Sequence, residues 1–261
     1  MAVSLDKLME EKRMKALITD LDRTLLHTDK SVSEYTIDVF KKCHDYGILV
    51  MAASARPLRD ILVYNELIGF DAITATNGAV IVLPDGKMEF GIKCENGEKI
   101  LSCILDFPDV FLSIETSKGL YSNRDIPAWK PVVYEKFPIL PEDIILYKIL
   151  ASSERKPLYE GIASVLTNDV YHTIADNELI QIMSNDATKW NGIKHMLSRF
   201  DISPNDTVYF GDDNDDIEPI KNCGLGIAVS NAIPSVLDVA DQIAGSNDLD
   251  GVARFIEENI L

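Results

Sequence analysis

Two aspartates that flank one leucine, Asp20 and Asp22, are the first residues of this sequence whose types and spacing could do chemistry. They follow the apolar run 16–18, which predicts a buried strand over 16–19. Side chains two residues apart on an extended chain point to the same side, and open α/β sheets bind ligands at the carboxyl ends of their strands. Two carboxylates placed there repel each other unless a cation or an anion-transfer reaction needs them. The pair is therefore either half of a site or a polar turn.

A second acidic cluster at 211–216 reads Gly-Asp-Asp-Asn-Asp-Asp and directly follows another predicted strand, 207–210. Mg²⁺ binds through one or two carboxylates together with water and substrate phosphate, which suits this supply of hard oxygens. An EF-hand loop is disfavoured because its glycine and its terminal glutamate are missing. The alternative is a solvated turn at a helix N-terminus, where acidic residues are favourable. With Asp20 and Asp22 at an equivalent strand end, the cluster favours a metal site.

Two further positions could bind an anion. Ser54-Ala55-Arg56 follows the predicted strand 48–53 and precedes a helix that starts near Pro57, so its hydroxyl and backbone N–H groups could bind an anion at the helix N-terminus. Ser54 could equally be a helix N-cap. Lys189 opens a predicted helix, where a cation is unfavourable to the helix dipole. That placement indicates a pairing with Asp20 and a phosphate oxygen, against the alternative of a solvated surface lysine.

The elements that must position these residues alternate in a βαβαβ order from about residue 15 to residue 83, which predicts a parallel sheet. Pro84-Asp85-Gly86 interrupts the order with a turn signal. The stretch 84–184 then has the pattern of an α+β module, and the α/β order resumes at Lys189. We therefore predict an α/β protein with a Rossmann-like parallel-sheet core, formed by 1–83 and 185–261, and an inserted α+β domain at 84–184.

Composition excludes several function classes. The chain has 261 residues and a net charge of −17, whereas nucleic-acid binding needs a basic surface. No apolar run approaches the ~20 residues of a membrane helix, and residues 1–13 lack the apolar core of a signal peptide. Four scattered cysteines without CxxC spacing predict a reducing, cytoplasmic location, and the four histidines form no zinc motif. The expected partner is a small phosphorylated metabolite, for a monomer or a small homo-oligomer.

Four motifs in register resemble the haloacid dehalogenase superfamily of phosphohydrolases over nearly the whole chain. The segment 20–26 is similar to that family's DxDGTLL motif, Ser54 to its second-motif Ser/Thr, Lys189 to its third-motif lysine, and 211–216 to its GDGxND motif. Further stretches resemble the Cof-type phosphatases (subfamily IIB): 76–79, 231–232 with 239–241, and 250–253. The resemblance implies that 84–184 is a cap domain that determines substrate specificity.

The resemblance also implies a mechanism. Asp20 would attack phosphorus to form an aspartyl-phosphate, and Asp22 would serve as general acid and then as general base. Ser54 and Lys189 would stabilise the transferring phosphoryl oxygens. Mg²⁺ would be held by Asp20, by the backbone carbonyl of Asp22 and by Asp212, with Asp215 or Asp216 in support. Ala55, Asn77 and Arg23 complete the predicted substrate-binding set; in the cap, Tyr121, Asn123, Arg124 and Lys148 are candidates.

Among the departures from the family pattern, Arg23 stands for Gly, Ala55 for Gly and Asp215 for Asn. None of them removes a catalytic group, so the sequence predicts an active, magnesium-dependent phosphatase of small phosphate monoesters, with sugar phosphates as the leading class. Arg23 either contacts substrate or points outward. A phosphomutase of the same fold and a catalytically weak phosphate or metal sensor are the alternative functions.

Overall fold

The computed structural model describes residues 14–107, 109–127, 129–134, 143–152, 156–175 and 179–261. The chain divides into two compact units. One ends at Met88 and resumes over Thr188–Leu261, and the other is Glu89–Ala187. The predicted boundaries were 83/84 and 184/185. Pro84, the predicted start of the inserted domain, lies between two adjacent strands of the first unit's sheet rather than between the units.

The first unit is built on an eight-stranded sheet, with the strand order β14-β13-β12-β1-β2-β3-β4-β5. Its strands are β1 (Ala16–Thr19), β2 (Leu49–Ala53), β3 (Ala72–Ala75), β4 (Val80–Leu83), β5 (Gly86–Glu89), β12 (Thr207–Gly211), β13 (Leu225–Val229) and β14 (Gln242–Ala244). The six strands from β14 to β3 pair in parallel, and β4 is antiparallel to β3. Strand β1 lies between β2 and β12. The strand order therefore reverses at β1, and open parallel sheets bind ligands at the carboxyl ends of the strands beside such a reversal.

The described residues of this unit form the helices α1 (Glu34–Asp45), α2 (Leu58–Ile68), α5 (Lys189–Arg199), α6 (Ile217–Asn222), α7 (Pro234–Leu237) and α8 (Gly251–Asn259). Local sequence explains several of their ends. Ser33 caps α1 by accepting a hydrogen bond from Thr36 N at 3.0 Å. Thr188 caps α5 in the same way, through Asn191 N at 3.1 Å. Such caps satisfy N–H groups that have no partner within the helix.

The second unit carries a six-stranded sheet in the order β10-β11-β9-β6-β7-β8. Its strands are β6 (Leu112–Thr116), β7 (Gly119–Ser122), β8 (Val132–Val133), β9 (Leu146–Ser152), β10 (Val170–Ala175) and β11 (Leu179–Ser184), and its helices are α3 (Cys94–Leu105) and α4 (Lys156–Val165). All pairs are antiparallel except β7 with β8. Ile100 and Ile104 of α3 and Leu158 of α4 share one apolar core with alternate residues of the sheet.

The predicted fold class, a parallel α/β core with an inserted α+β unit, is confirmed. The sequence pattern also predicts a helix over 233–239, whereas only Pro234–Leu237 is helical in the structure. In the described part of the chain, no helix combines the length and the apolar character that a membrane crossing requires.

Candidate active site

The sheet register brings the two acidic segments together. Thr19, the last residue of β1, is paired with Phe210 of β12, so Asp20 and Asp212 both lie just beyond the same edge of the sheet. Asp20 N donates to Phe210 O at 2.9 Å, which fixes the first segment against the second strand. Thr19 is also paired with Ala52 of β2, two residues before Ser54. The parallel order therefore gathers three predicted motifs at one edge.

Three buried carboxylates form the centre of this edge. Asp20, Asp212 and Asp216 are 5%, 3% and 0% exposed, and one oxygen of each lies within 4.8 Å of the others. Burying several anions together is costly unless positive charge lies among them. Hard carboxylate oxygens at this spacing fit a divalent cation such as Mg²⁺. The residues present therefore fit the metal that the resemblance implies.

Lys189 supplies positive charge from within the chain. Its side chain is 2% exposed, and Nζ lies 2.7 Å from Asp216 Oδ1, 3.0 Å from Asp20 Oδ1 and 3.2 Å from Asp215 Oδ1. Burial alone would lower the pKa of Lys189, but these three carboxylates raise it well above its usual value. The ammonium is therefore held charged beside Asp20, and one lysine does not neutralise the four buried or half-buried acids around it.

Asp216 organises the second acidic segment. Its Oδ1 accepts from Lys189 Nζ at 2.7 Å and from the Tyr209 hydroxyl at 2.6 Å. Its Oδ2 accepts from the backbone N–H groups of Asp212 at 2.9 Å and Asp213 at 3.0 Å. Each oxygen thus receives two hydrogen bonds from the chain, so Asp216 fixes the position of its neighbour Asp212 as well as contributing charge.

Asp212 is fixed from the first segment too. Thr24 is fully buried, and its hydroxyl donates to Asp212 Oδ1 at 2.8 Å. Burial and the charge of Asp216 raise the pKa of Asp212 to about 6, against the opposing effect of the Thr24 hydrogen bond. Burial likewise raises the pKa of Asp20 well above its usual value, against the effect of Lys189. A bound cation would favour the ionised form of both carboxylates.

Asp22 has a different environment from Asp20. Its side chain is 37% exposed, and Arg56 donates to both of its oxygens, from Nε at 2.6 Å and from a terminal nitrogen at 2.7 Å. Lys30 Nζ donates to Oδ1 at 2.8 Å. Partial burial would raise the pKa of Asp22, but the Arg56 and Lys30 contacts outweigh it and lower the pKa. Two cations therefore hold this carboxylate ionised and fixed in orientation.

Ser54 lies at the same edge, directly after β2. It is 1% exposed, and its Oγ accepts a hydrogen bond from Arg56 N at 3.2 Å. The N-cap of α2 is Pro57, so Ser54 does not cap this helix, and that alternative is wrong. Ala55 is exposed and offers only its backbone to a ligand. Ser54 and Ala55 thus form the turn that leads from the sheet into α2.

Asn77 and Asp215 contact each other. Asn77 Nδ2 donates to Asp215 Oδ2 at 2.6 Å, while the other carboxylate oxygen of Asp215 contacts Lys189. Burial raises the pKa of Asp215, against the effect of Lys189. The structure therefore places Asp215 beside Lys189 and Asn77, whereas the group of three close carboxylates consists of Asp20, Asp212 and Asp216.

Arg23 lies at the rim of the site. Its side chain is 60% exposed, with Nε 3.8 Å from Asp212 Oδ2. Its backbone φ is +59°, in the left-handed region that glycine adopts most readily. That conformation explains why the family pattern has glycine here, and why arginine at this position is unusual.

Sequence reasoning missed four residues of this site: Thr24, Lys30, Arg56 and Tyr209. Arg56 and Thr24 belong to the motifs that were singled out, so their positions carried a signal. Lys30 is eight residues from Asp22 on an irregular segment, and Tyr209 is a strand residue like its neighbours. Only the tertiary arrangement brings Lys30 to Asp22 and Tyr209 to Asp216.

The four predicted cap residues belong to the second unit. Asn123 uses its side chain to bind the backbone of residues 110 and 112, at 2.7 Å and 3.0 Å. Arg124 donates to Asp109 O at 2.5 Å, and Tyr121 packs against Tyr134. Lys148 is 6% exposed on β9. Asn123 and Arg124 therefore have contacts that stabilise the unit itself, and the substrate-binding role of all four stays a prediction.

Comparison with known proteins shows the family of this chain. A family model described as haloacid dehalogenase-like hydrolase matches residues 17–256. A putative phosphatase of Haemophilus influenzae is 26% identical, over 94% of this chain and 97% of its own length. The 5-amino-6-(5-phospho-D-ribitylamino)uracil phosphatase YitU of Bacillus subtilis is 25% identical, over 95% and 98% of the two chains. The solved structure of the HAD subclass IIB sugar phosphatase BT4131 superposes with a TM-score of 0.77 at 19% identity, over 94% of this chain and 98% of that one. The chain therefore belongs to the haloacid dehalogenase-like hydrolases, which confirms the family that its four motifs predict.

Proposed function

We propose that this phosphoric monoester hydrolase is a magnesium-dependent phosphatase of small phosphate monoesters, with sugar phosphates as the leading class. The observation that carries the proposal is the group of buried carboxylates Asp20, Asp212 and Asp216, within 4.8 Å of one another and beside the buried Lys189. The relatives named as phosphatases support the reaction type. The fold shared with a sugar phosphatase supports the substrate class. A cytoplasmic location and the oligomeric state stay predictions from the sequence.

The proposed reaction has two displacements at phosphorus. In the first, a carboxylate oxygen of Asp20 forms a bond to phosphorus while the bond to the leaving oxygen breaks. Asp22, which carries the proton it took from water in the preceding turnover although Arg56 and Lys30 lower its pKa, gives that oxygen its proton. In the second, Asp22 takes a proton from water as the water oxygen attacks phosphorus, which releases inorganic phosphate and regenerates Asp20. Asp22 is partly exposed, so it can exchange a proton with water between the two displacements, whereas Asp20 is buried beside Lys189.

The remaining residues stabilise charge on the transferring group. Lys189 Nζ, 3.0 Å from Asp20 Oδ1, can also donate to a phosphoryl oxygen, and Ser54 Oγ with nearby backbone N–H groups can donate to another. Asp20, the backbone carbonyl of Asp22 and Asp212 would hold Mg²⁺, with Asp215 or Asp216 in support. The cation would reduce the repulsion between the Asp20 carboxylate and the phosphate dianion. The inserted unit belongs to this proposal as the domain that selects the substrate.

The test is hydrolysis of p-nitrophenyl phosphate with Mg²⁺. We expect turnover by the unmodified protein, loss of turnover with EDTA, and a fall on the order of 10³-fold or more in Asp20→Asn. Asp213→Asn is the matched control, because it removes an exposed carboxylate of the same acidic cluster while keeping a side chain that can cap the turn. We expect Asp213→Asn to retain turnover.

Two other results would contradict the proposed phosphatase and support one of the alternative functions. Measurable Mg²⁺ binding without turnover of any member of a broad phosphate-ester panel would indicate a sensor. Turnover that requires a bisphosphate primer and moves phosphate between hydroxyl groups would indicate a phosphomutase.

A further inference from the structure

The backbone conformation of Arg23 is unusual for an arginine. It lies between the proposed acid–base Asp22 and the buried Thr24, and its φ of +59° is one that side chains with a Cβ atom adopt only at a cost in conformational energy. Glycine, the residue of the family pattern, would remove that cost. A strained arginine in a catalytic loop therefore points to a use for its charged side chain.

The surrounding residues fix the Arg23 backbone and leave most of its side chain in solvent. Asn231 Nδ2 donates to Arg23 O at 2.7 Å, and Asn231 Oδ1 in turn accepts from Asn247 N at 2.9 Å. The guanidinium donates to Asn231 O at a long 3.3 Å, and Nε lies 3.8 Å from Asp212 Oδ2. With 60% of the side chain exposed, the planar group keeps donors for a ligand beside the acidic centre.

The charges around the site favour one class of ligand. Two of the nearby cations, Arg56 and Lys30, bind Asp22, and Lys189 lies among the buried carboxylates, where the transferring phosphoryl group is proposed to bind. Among the described residues at this rim, Arg23 is a cation whose own contacts are long, at 3.3 Å and 3.8 Å, so its guanidinium can still bind a ligand. A ligand with a second negative group would be repelled by the acidic residues unless a cation paired with that group, and an arginine binds carboxylate or phosphate through two parallel hydrogen bonds.

We propose that Arg23 selects substrates whose leaving group carries a second anionic group, either a carboxylate or another phosphate. This inference rests on the proposed phosphatase function and narrows its substrate class. The phosphoryl group to be transferred lies against Asp20 and Lys189, in the buried part of the site. The exposed guanidinium of Arg23 binds the far anionic group of the leaving portion and thereby orients the ester for attack.

Paired substrates that differ in that one group test the inference. One pair is 3-phosphoglycerate and glycerol 3-phosphate, which differ by a carboxylate in place of a hydroxymethyl group. The other is fructose 1,6-bisphosphate and fructose 1-phosphate, which differ by a second phosphate. The quantity to measure is the ratio of kcat/KM within each pair. We expect the ratio to favour the more anionic member in at least one pair, and the pair concerned identifies the anion.

In Arg23→Gly we expect that ratio to fall by about 10- to 100-fold, as for the loss of hydrogen bonds to a charged group. Arg23→Lys keeps the charge without the planar fork, and we expect an intermediate ratio. The matched control is Lys221→Gln, which removes an exposed positive charge at the end of α6 and should leave the ratio unchanged. Glycine suits the local φ, so Arg23→Gly should fold, and its thermal midpoint serves as the check.

The outcomes separate this inference from the proposed function. If the unmodified protein hydrolyses p-nitrophenyl phosphate but prefers neither anionic substrate, or if Arg23→Gly lowers kcat/KM equally for both members of a pair, the selectivity assigned to Arg23 is wrong while the phosphatase stands. If no phosphate monoester is hydrolysed, the proposed function and the inference fail together. A binding measurement adds a readout that needs no turnover: Asp20→Asn should bind 3-phosphoglycerate more tightly than glycerol 3-phosphate, and Asp20→Asn combined with Arg23→Gly should lose the difference.

Discussion

At the scale of single residues, the contrast between Asp20 and Asp22 gives the site its chemical asymmetry. The side chain of Asp20 is 7% exposed and contacts Lys189, while the side chain of Asp22 is 37% exposed and is bound by Arg56 and Lys30. Burial raises the pKa of Asp20, whereas the two cations lower the pKa of Asp22. Pairs of acids in such different environments are typical of sites in which each acid has its own role.

The two hydrogen bonds from Arg56 to Asp22 lead to a prediction about rate. Arg56→Ala removes both bonds, so Asp22 loses the fixed orientation that its proposed proton transfers require, and we expect kcat for p-nitrophenyl phosphate to fall by about 10- to 100-fold. Steady-state kinetics would measure the effect. Arg56→Lys should recover only part of the rate, because a lysine cannot make the two-point contact. An unchanged kcat in Arg56→Ala would show that Asp22 does not need this support.

The sequence identifies residues whose chemistry follows from their residue type. It does not identify residues whose role depends on tertiary contacts. Asp20, Asp212, Asp216 and Lys189 are charged residues at strand or helix ends, so they stood out. The burial of Thr24 against Asp212 and the hydrogen bond from Tyr209 to Asp216 depend on how β1 pairs with β12. A pattern along one chain does not contain that register.

At the scale of elements, a turn at residues 76–78 packs against the N-terminus of α5. Three consecutive residues, Thr76, Asn77 and Gly78, have φ values of +50°, +54° and +98°. A Cβ atom on Gly78 would lie 2.1 Å from the backbone oxygen of Thr188, the N-cap of the helix that begins with Lys189. The turn therefore contacts the backbone directly before Lys189, while Asn77 holds Asp215.

This close approach leads to a prediction about stability. Gly78→Ala combines an unfavourable φ with a backbone clash, so we expect it to lower the free energy of unfolding by roughly 2–4 kcal/mol. Gly47→Ala is the matched control, since Gly47 has a φ of +72° but no atom within 4 Å of an added Cβ. Its loss should be about 1 kcal/mol. Urea unfolding of both variants would measure the difference, and equal losses would show that the contact with Thr188 contributes nothing.

The sequence predicted most elements because hydrophobic pattern and helix caps agree in them, as in α1 with its cap Ser33. It missed three strands: β5, β7 and β8. All three strands are short. The residues of β5 and β8 are largely exposed, so these two strands lack the apolar pattern that identifies a strand in a sequence. Their place in the sheets depends on backbone pairing with a neighbouring strand.

At the scale of the whole molecule, Asp250 joins the beginning and the end of the first unit. The carboxylate accepts from Ser33 Oγ at 2.6 Å and from Thr36 Oγ1 at 3.1 Å, and it contacts His27 Nε2 at 2.9 Å. Partial burial opposes these contacts, but together they hold the pKa of Asp250 below its usual value. A residue at the start of the last helix thus supports the loop that follows Asp20 and Asp22.

This contact leads to a prediction about pH. Because the pKa of Asp250 is lower in the folded state than in the unfolded chain, its contribution is present above the usual aspartate pKa and is lost as the pH falls below about 4. In Asp250→Asn we expect lower stability near neutral pH and a smaller loss between about pH 5 and pH 3. Urea midpoints across this range would measure both. Asp60→Asn, at an exposed site on α2, should keep the slope of the unmodified protein. An unchanged slope in Asp250→Asn would contradict the assignment.

We propose that Asp20 carries the phosphoryl group during turnover. Rapid acid quenching during hydrolysis of p-nitrophenyl phosphate, followed by mass spectrometry of peptides, tests it most directly, because an acyl phosphate on Asp20 adds one phosphoryl mass to a single peptide. We predict that this adduct is found on Asp20 in the unmodified protein and is absent from Asp20→Asn. Turnover without an adduct, or with the phosphoryl group on another residue, would contradict the claim.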